Sequence, residues 1–327
     1  MKVLVTGATG FTGKALVRRL IEAGHDVIGI DYKEGHKSDE LRRWGAKIVI
    51  GSVTDAELVR RCMDGVDVVQ HLAAAFRELH VPPSHYYAVN VGGTRNVLQA
   101  AFEAGVRKFI YCSTCGVHGN VEKPPAAEDA PIRPADYYQQ TKYEAEPIVL
   151  DYGRRGLPVT IIRPAAIYGP GDPERFYLIY RRVAKGWFPM FGSGRTYYHP
   201  LYIDNLIDAL MLAMDPKRGN GEVYLIADEE YVSIEDLARR VGRAMNVDAK
   251  IVHLPVWPVV IGGHVVERAC RPFGITPPIF PRRVDWYRQN RAFRIDKAKR
   301  ELGYRPAVPL DEGLRRTYEW YRAEGML

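Results

Sequence analysis

No apolar run in this chain approaches the ~18 residues that a membrane-spanning helix needs. The most apolar stretch, residues 256–266, is short and holds Pro258 and His264. Cysteine is scarce: Cys62, Cys112, Cys115 and Cys270 are the whole supply. Cys112-Ser113-Thr114-Cys115 is a C-x-x-C, but no second one exists and only His118 lies nearby as a further ligand. No metal site is therefore expected, and the pair reads as two thiols at a strand end. Internal repeats and low-complexity tracts are also missing. The opening Met-Lys-Val-Leu-Val-Thr-Gly has one lysine and a brief apolar run ending in glycine, unlike a secretory signal. A cytoplasmic protein is expected.

Charge of one sign is not scarce. The formal net charge is +7, and the excess collects late, between Arg268 and Arg305. That stretch lacks a recognition-helix signature and the dense Lys/Arg runs of a nucleic-acid-binding arm. It reads as a solvated basic face, or as the contact for an anionic small-molecule substrate. Neither a nucleic-acid nor a membrane partner is expected.

With 327 residues, 46% of them hydrophobic, the chain has material for two domains, or for one α/β domain carrying a smaller lobe. Short apolar runs at 2–6, 26–30, 46–50, 66–71, 108–112 and 159–163 read as buried strands. Between them, helical patterns fall at 12–23, 37–44, 55–63, 85–104 and 136–155. This alternation predicts an α/β fold, a Rossmann-type doubly wound parallel sheet with a smaller C-terminal substrate-binding lobe. We place the first domain at 1–169, with residues near 200–226 returning to it, and the lobe at 170–327. In the lobe, helices are expected at 174–185, 204–214, 233–245, 296–302 and 310–322 and a strand at 222–226. Residues 255–294, rich in proline, are expected to be partly irregular.

Gly7, Gly10 and Gly13 are spaced G-x-x-G-x-x-G, directly after the first strand and opening a helix. In that context Gly7 allows the tight turn, Gly10 lets backbone approach a pyrophosphate, and Gly13 lets helix and strand pack closely. Phe11 and Thr12 start the helix, whose free N–H groups favour an anion. Asp31 ends the second strand, where a carboxylate can accept both hydroxyls of an adenine ribose and repel a 2′-phosphate. NAD is the expected cofactor. Lys33 is near enough to soften the repulsion, so NADP stays a second candidate. The plainer reading of Asp31 is a turn residue before Gly35.

Tyr138 and Lys142 form Y-x-x-x-K on a predicted helix, and residues i and i+4 share a face. A lysine ammonium beside the phenol favours its ionised form, lowering a pKa that starts near 10. Such a tyrosine can take a proton from an alcohol or return one to a ketone. Tyr137 and Tyr143 compete, but only Tyr138 has lysine four residues on.

Together these features resemble an extended short-chain dehydrogenase/reductase of the NAD-dependent epimerase/dehydratase family. The resemblance rests on residues 6–13, Asp31, His71-Leu72-Ala73-Ala74, Asn90-Val91-Gly92-Gly93-Thr94, 112–119, 138–142, Arg163-Pro164, Tyr168-Gly169-Pro170-Gly171, Ile203-Asp204-Asn205 and 297–306. It implies that Thr114 hydrogen-bonds the reacting oxygen, where the plainer reading is a turn cap. It implies that Lys142 also holds the nicotinamide ribose. Leu72, Ala73 and Ala74 would line the cofactor channel, Val53 would pack on adenine, and Asn90 would order backbone beside the cofactor. Ser52 stands where the family often has Asp. His118 replaces a usual tyrosine and is given no role. A homodimer through the helices at 85–104 and 136–155 is implied too.

The mechanism expected is hydride transfer, with Tyr138 as base, Thr114 orienting the oxygen and NAD accepting hydride. Sugar-nucleotide members usually have Asn at the place of Ala166 and often Arg at the place of Tyr198, although Arg195 is near. Cys115-Gly116 offers no acid of the kind dehydratases carry. The leading expectation is a nucleotide-sugar epimerase, with Arg195, Tyr198, Arg282 and Arg283 as substrate residues. The alternative is a 3β-hydroxysteroid dehydrogenase-like or dihydroflavonol reductase-like enzyme, with Trp257 and Phe273 lining an apolar pocket. A non-catalytic NAD-sensing Rossmann protein is the alternative from another class.

Overall fold

The computed structural model describes residues 1–76, 81–172, 175–270 and 286–327. In chain order the elements are β1 (Lys2–Thr6), α1 (Phe11–Glu22), β2 (Asp26–Asp31), α2 (His36–Trp44), β3 (Lys47–Ile50), α3 (Ala56–Cys62), β4 (Val68–His71), α4 (Pro83–Tyr87), α5 (Thr94–Glu103), β5 (Lys108–Cys112), α6 (Tyr137–Arg154), β6 (Val159–Pro164), β7 (Ala166–Tyr168) and α7 (Arg175–Val183). They continue with β8 (Trp187–Phe191), β9 (Tyr197–Tyr198), β10 (Pro200–Tyr202), α8 (Ile203–Leu212), β11 (Glu222–Ile226), β12 (Val232–Ser233), α9 (Ile234–Met245), β13 (Lys250–Leu254), α10 (Trp257–Cys270), α11 (Asp296–Glu301) and α12 (Leu310–Ala323).

Seven strands form one parallel sheet in the order β11-β6-β5-β4-β1-β2-β3. The strand order reverses between β1 and β4, where Thr6 stands opposite His71. In a doubly wound sheet the crevice beyond the strand ends at such a reversal is the ligand site. Successive side chains alternate between faces. Val3 and Val5 join a core cluster with Leu16, Val17 and Leu20 of α1, while Leu4 joins a separate one with Val97 and Leu98 of α5 and Val149 of α6. Burying each such aliphatic side chain contributes roughly 1.5–3 kcal/mol. β11, from the second half of the chain, lies beside β6, with Glu222 opposite Thr160.

Several elements differ from the sequence expectation. The helix expected at 85–104 is three pieces: α4, a π-helical stretch over Ala88–Gly93, and α5. The apolar periodicity runs on through the stretch, but Asn90 is pulled into side-chain contacts described below. At Gly93, a Cβ would sit 2.5 Å from Val53 Cγ2, so only glycine allows this approach. The strands β7, β8, β9, β10, β12 and β13, outside the main sheet, are not among those expected, and α10 occupies residues 257–270 at the start of the segment expected to be partly irregular.

Candidate active site

The turn after β1 is shaped by backbone crowding. Gly7 has φ +72°, and a Cβ there would lie 2.9 Å from Ala73 N. At Gly13 a Cβ would lie 2.0 Å from Gly7 O, an impossible contact. At Gly10 the nearest such atom is Gly7 O at 3.3 Å, so this side of the turn is open. α1 then begins at Phe11 with no side-chain cap and no acidic residue in its first turn. Thr12 lies in that turn. Its first N–H groups are left for another acceptor. Asp31 is buried, and its carboxylate accepts from Thr9 N at 2.9 Å and Tyr32 N at 2.8 Å. It thus ties the glycine turn to the end of β2.

Around this turn the other cofactor candidates divide. Leu72, Ala73 and Ala74 are half-buried just beyond β4, and Ala73 N donates to Thr6 Oγ1 at 3.1 Å. The Ser52 hydroxyl is engaged with Thr54, at 2.8 Å to its hydroxyl and 3.1 Å to its N–H. Val53 is only 4% exposed and packs on Gly93. Asn90 is buried; its Oδ1 accepts from Ala75 N at 2.7 Å and its Nδ2 donates to Thr141 Oγ1 at 2.9 Å. One amide thus connects the segment after β4 to α6.

α6 starts with a reciprocal cap. Asp136 Oδ1 accepts from Gln139 N, and Gln139 Oε1 accepts from Ala135 N, both at 2.8 Å. Tyr138, Lys142 and Glu146 follow at successive i+4 positions, on one face. Tyr138 is half-buried and its ring meets Phe76 at 4.7 Å between centroids. Lys142 is 1% exposed. Its Nζ has no hydrogen-bond partner and stands 4.2 Å from the centroid of the Tyr111 ring. Burial lowers the Lys142 pKa to about 8, although Cys112 and Glu146 pull the other way. His71, buried beneath, is held down to about 3 by burial and by the Lys142 charge. The Thr114 hydroxyl accepts from Gly116 N at 3.1 Å, capping the turn Cys115–His118. A hydroxyl that accepts keeps its own hydrogen to donate. Gly116 packs this turn on α6, since a Cβ there would meet Gln139 Cγ at 3.0 Å.

Behind this face lies a buried polar network. Glu146 takes Arg163 in a two-pronged pair, Nη2 to Oε2 at 2.6 Å and Nε to Oε1 at 3.0 Å, and accepts from Ser113 Oγ at 2.6 Å. Arg163 Nη1 also donates to His118 Nε2 at 3.0 Å, and His118 Nδ1 faces the carbonyls of Ala130 and Pro131 at 3.2 and 3.3 Å. That pattern requires a neutral His118 with its proton on Nδ1. Burial first, then Arg163, lowers its pKa accordingly. His118 therefore has a structural task that its sequence position did not announce. The role of Glu146 was missed as well, though Arg163 inside an apolar strand was the signal: a buried guanidinium demands a partner.

Arg195 and Tyr198 do not behave alike. Arg195 is exposed. Tyr198 is 2% exposed and meets Trp286 edge-on at 5.7 Å. Arg282, Arg283 and Phe273 lie outside the described residues. Trp257 is 66% exposed. Cys112 and Cys115 are not joined in a disulfide.

An open glycine turn at an uncapped helix start, a carboxylate at the end of β2 and an unpartnered buried ammonium fit a dinucleotide laid across the strand ends. Residues 3–227 match the NAD dependent epimerase/dehydratase family. The chain belongs to that family. It is an enzyme, and its cofactor is NAD. An N-acetyl-alpha-D-glucosaminyl-diphospho-ditrans,octacis-undecaprenol 4-epimerase of Escherichia coli O157:H7 is 29% identical over 98% of this chain and 96% of its own length. A 3 beta-hydroxysteroid dehydrogenase/Delta 5-->4-isomerase of Mycobacterium tuberculosis is 31% identical over 98% of this chain and 90% of its own. Among solved structures, UDP-glucose 4-epimerase with UDP-glucose from Thermotoga maritima superposes with a TM-score of 0.80 at 28% identity, covering 99% of each chain. Family membership thus unites relatives with two kinds of substrate.

Proposed function

We propose that this family member is a nucleotide-sugar epimerase in which Tyr138 moves the proton, Lys142 tunes it and Thr114 holds the reacting oxygen. The observation that carries the reading is the stripe on α6, from the half-buried Tyr138 phenol to the buried, unpartnered Lys142 ammonium. Tyr138 Oη takes the hydroxyl proton of the substrate and later returns it. The positive charge of Lys142 favours the phenolate form that does so. Thr114 donates its remaining hydrogen to the same oxygen. Bound NAD supplies reversible hydride acceptance at the neighbouring carbon. Gly7, Gly10, Gly13, Phe11 and Thr12 hold its diphosphate, Asp31 its adenine ribose, and Lys142 the nicotinamide ribose.

Epimerisation is favoured over dehydration because Cys115 and Gly116, which follow Thr114, are buried in a turn and carry no acid. The two 4-epimerase relatives support the sugar substrate. A second reading, a hydroxysteroid-like dehydrogenase, is favoured by one feature: the aromatic group of Tyr198, Trp286 and Tyr287, with Trp286 and Tyr287 rings 4.8 Å apart. We further propose a NAD-binding unit over 1–169 joined by 200–226, a substrate lobe in the remainder, a cytoplasmic protein, and a homodimer through the helical segments at 85–104 and 136–155. Exposed Tyr87 and Tyr143, 46% and 37%, support that interface.

The test is Tyr138→Phe, assayed by interconversion of UDP-sugar epimers and by NAD binding. Turnover is expected to vanish while NAD binding stays close to wild type. A variant turning over at the wild-type rate would sink the assignment. Stoichiometric NADH formation from a sterol, with no epimer produced from any nucleotide sugar, would select the second reading.

A further inference from the structure

A surface helix normally turns charge to water and apolar residues to the core. α10 does the opposite over its first turns. It opens Trp-Pro-Val-Val-Ile and reaches its first formal charge only at Glu267. Trp257 and Ile261 are 66% and 58% exposed, more than any other large hydrophobic side chain among the described residues. Arg268, in the last turn, is exposed too. At 3.6 residues per turn, positions 257, 261 and 268 lie within about 40° of one another. Val259, Gly262 and Val266 fall on the opposite side and are half-buried. The outward stripe thus runs from an aromatic and an aliphatic group to a guanidinium.

We propose that this stripe is a docking surface for an anionic lipid bilayer, with Trp257 and Ile261 entering the headgroup boundary and Arg268 meeting lipid phosphates. A scattered exposed hydrophobe needs no explanation, but two on one helical face, one of them tryptophan, mark a contact surface. Tryptophan suits the boundary between headgroups and acyl chains, and arginine extends its charge from it to the phosphates. Charge selects the partner. The formal net charge of the chain is +7, and Arg268, the charged side chain described on the stripe, has the same sign. A second copy seated on this face would set that charge against itself, whereas an anionic bilayer attracts it.

The helix lies on the membrane rather than through it. Its 14 residues extend about 21 Å at 1.5 Å per residue, short of a hydrocarbon core about 30 Å thick. No helix among the described residues is long and apolar enough to cross a membrane. Surface docking is a separate matter from spanning, and it revises the expectation of no membrane partner. It is independent of the substrate reading, because it is measured with no substrate present.

The test is co-sedimentation of the full chain with vesicles of phosphatidylcholine alone or mixed with phosphatidylglycerol, at low and high salt. Binding is expected to the mixed vesicles, weaker at high salt, with little to the neutral ones. Trp257→Ser with Ile261→Ser should weaken it by about tenfold or more, and Arg268→Gln by less. All three side chains are exposed, and circular dichroism checks that the variants fold. Absent binding to the mixed vesicles, or equal binding by wild type and the double variant, overturns the proposal. So does a double variant whose oligomeric state changes on a sizing column, since a second copy would then own the face.

Discussion

Replacing Lys142 with methionine should make the nucleotide-free protein more stable and useless. Lys142 Nζ is buried without a hydrogen-bond partner, and burial takes its pKa from 10.5 to about 8. At 1.36 kcal/mol per unit, holding that proton in the folded state costs about 3 kcal/mol at pH 7. Methionine keeps much of the aliphatic stem and removes the charge. Lys142→Met should therefore gain about 2–3 kcal/mol at pH 7, or about 4 °C in Tm for a chain of this size. The sign with pH follows from the two titrations. Between pH 8 and about 10.5 the unfolded lysine holds its proton while the folded one has lost it, so raising pH stabilises the wild type. The gap should shrink to about 1 kcal/mol or less by pH 10. Urea denaturation of both proteins, stripped of nucleotide, at pH 7 and pH 10 is the assay, and turnover should be lost throughout. A variant less stable than wild type at pH 7, or a gap unchanged at pH 10, would refute the reasoning.

Two further substitutions test neighbouring parts of the site. Gly13→Ala should fail to fold or lose most of its stability, because its Cβ would sit 2.0 Å from the Gly7 carbonyl oxygen. Gly10→Ala meets only that same oxygen at 3.3 Å, so it should fold and yet bind NAD weakly in a titration calorimeter. Glu146→Gln breaks a buried ion pair and should cost about 3 kcal/mol or more in urea denaturation. Because Glu146 supports the Lys142 proton, the alkaline limb of the residual pH–rate profile should also move to lower pH.

The parallel sheet was readable because each of its strands is a short apolar run closed by a turn signal, down to the late strand at Glu222–Ile226. What defeated the reading was structure created at long range. The π-helical stretch depends on Asn90 reaching Ala75 and Thr141, and no local pattern encodes that. β9 is two residues long and exists because Tyr198 pairs with Val232. At the site, Tyr138, Lys142 and Thr114 carried spacing or motif signals. Glu146, Ser113 and His118 carry theirs only through Arg163, whose donors need three separate segments of chain to satisfy them.

The central claim is that this chain keeps NAD and recycles it in place. Denaturing the purified protein and quantifying the released nucleotide by mass spectrometry tests it most directly. The account predicts near one NAD or NADH per chain and no NADP, the outcome that follows from the adenine-ribose role proposed for the Asp31 carboxylate at the end of β2. A protein that emerges empty and binds NAD only reversibly would contradict recycling and point to a dehydrogenase. Released NADP would contradict the part assigned to Asp31.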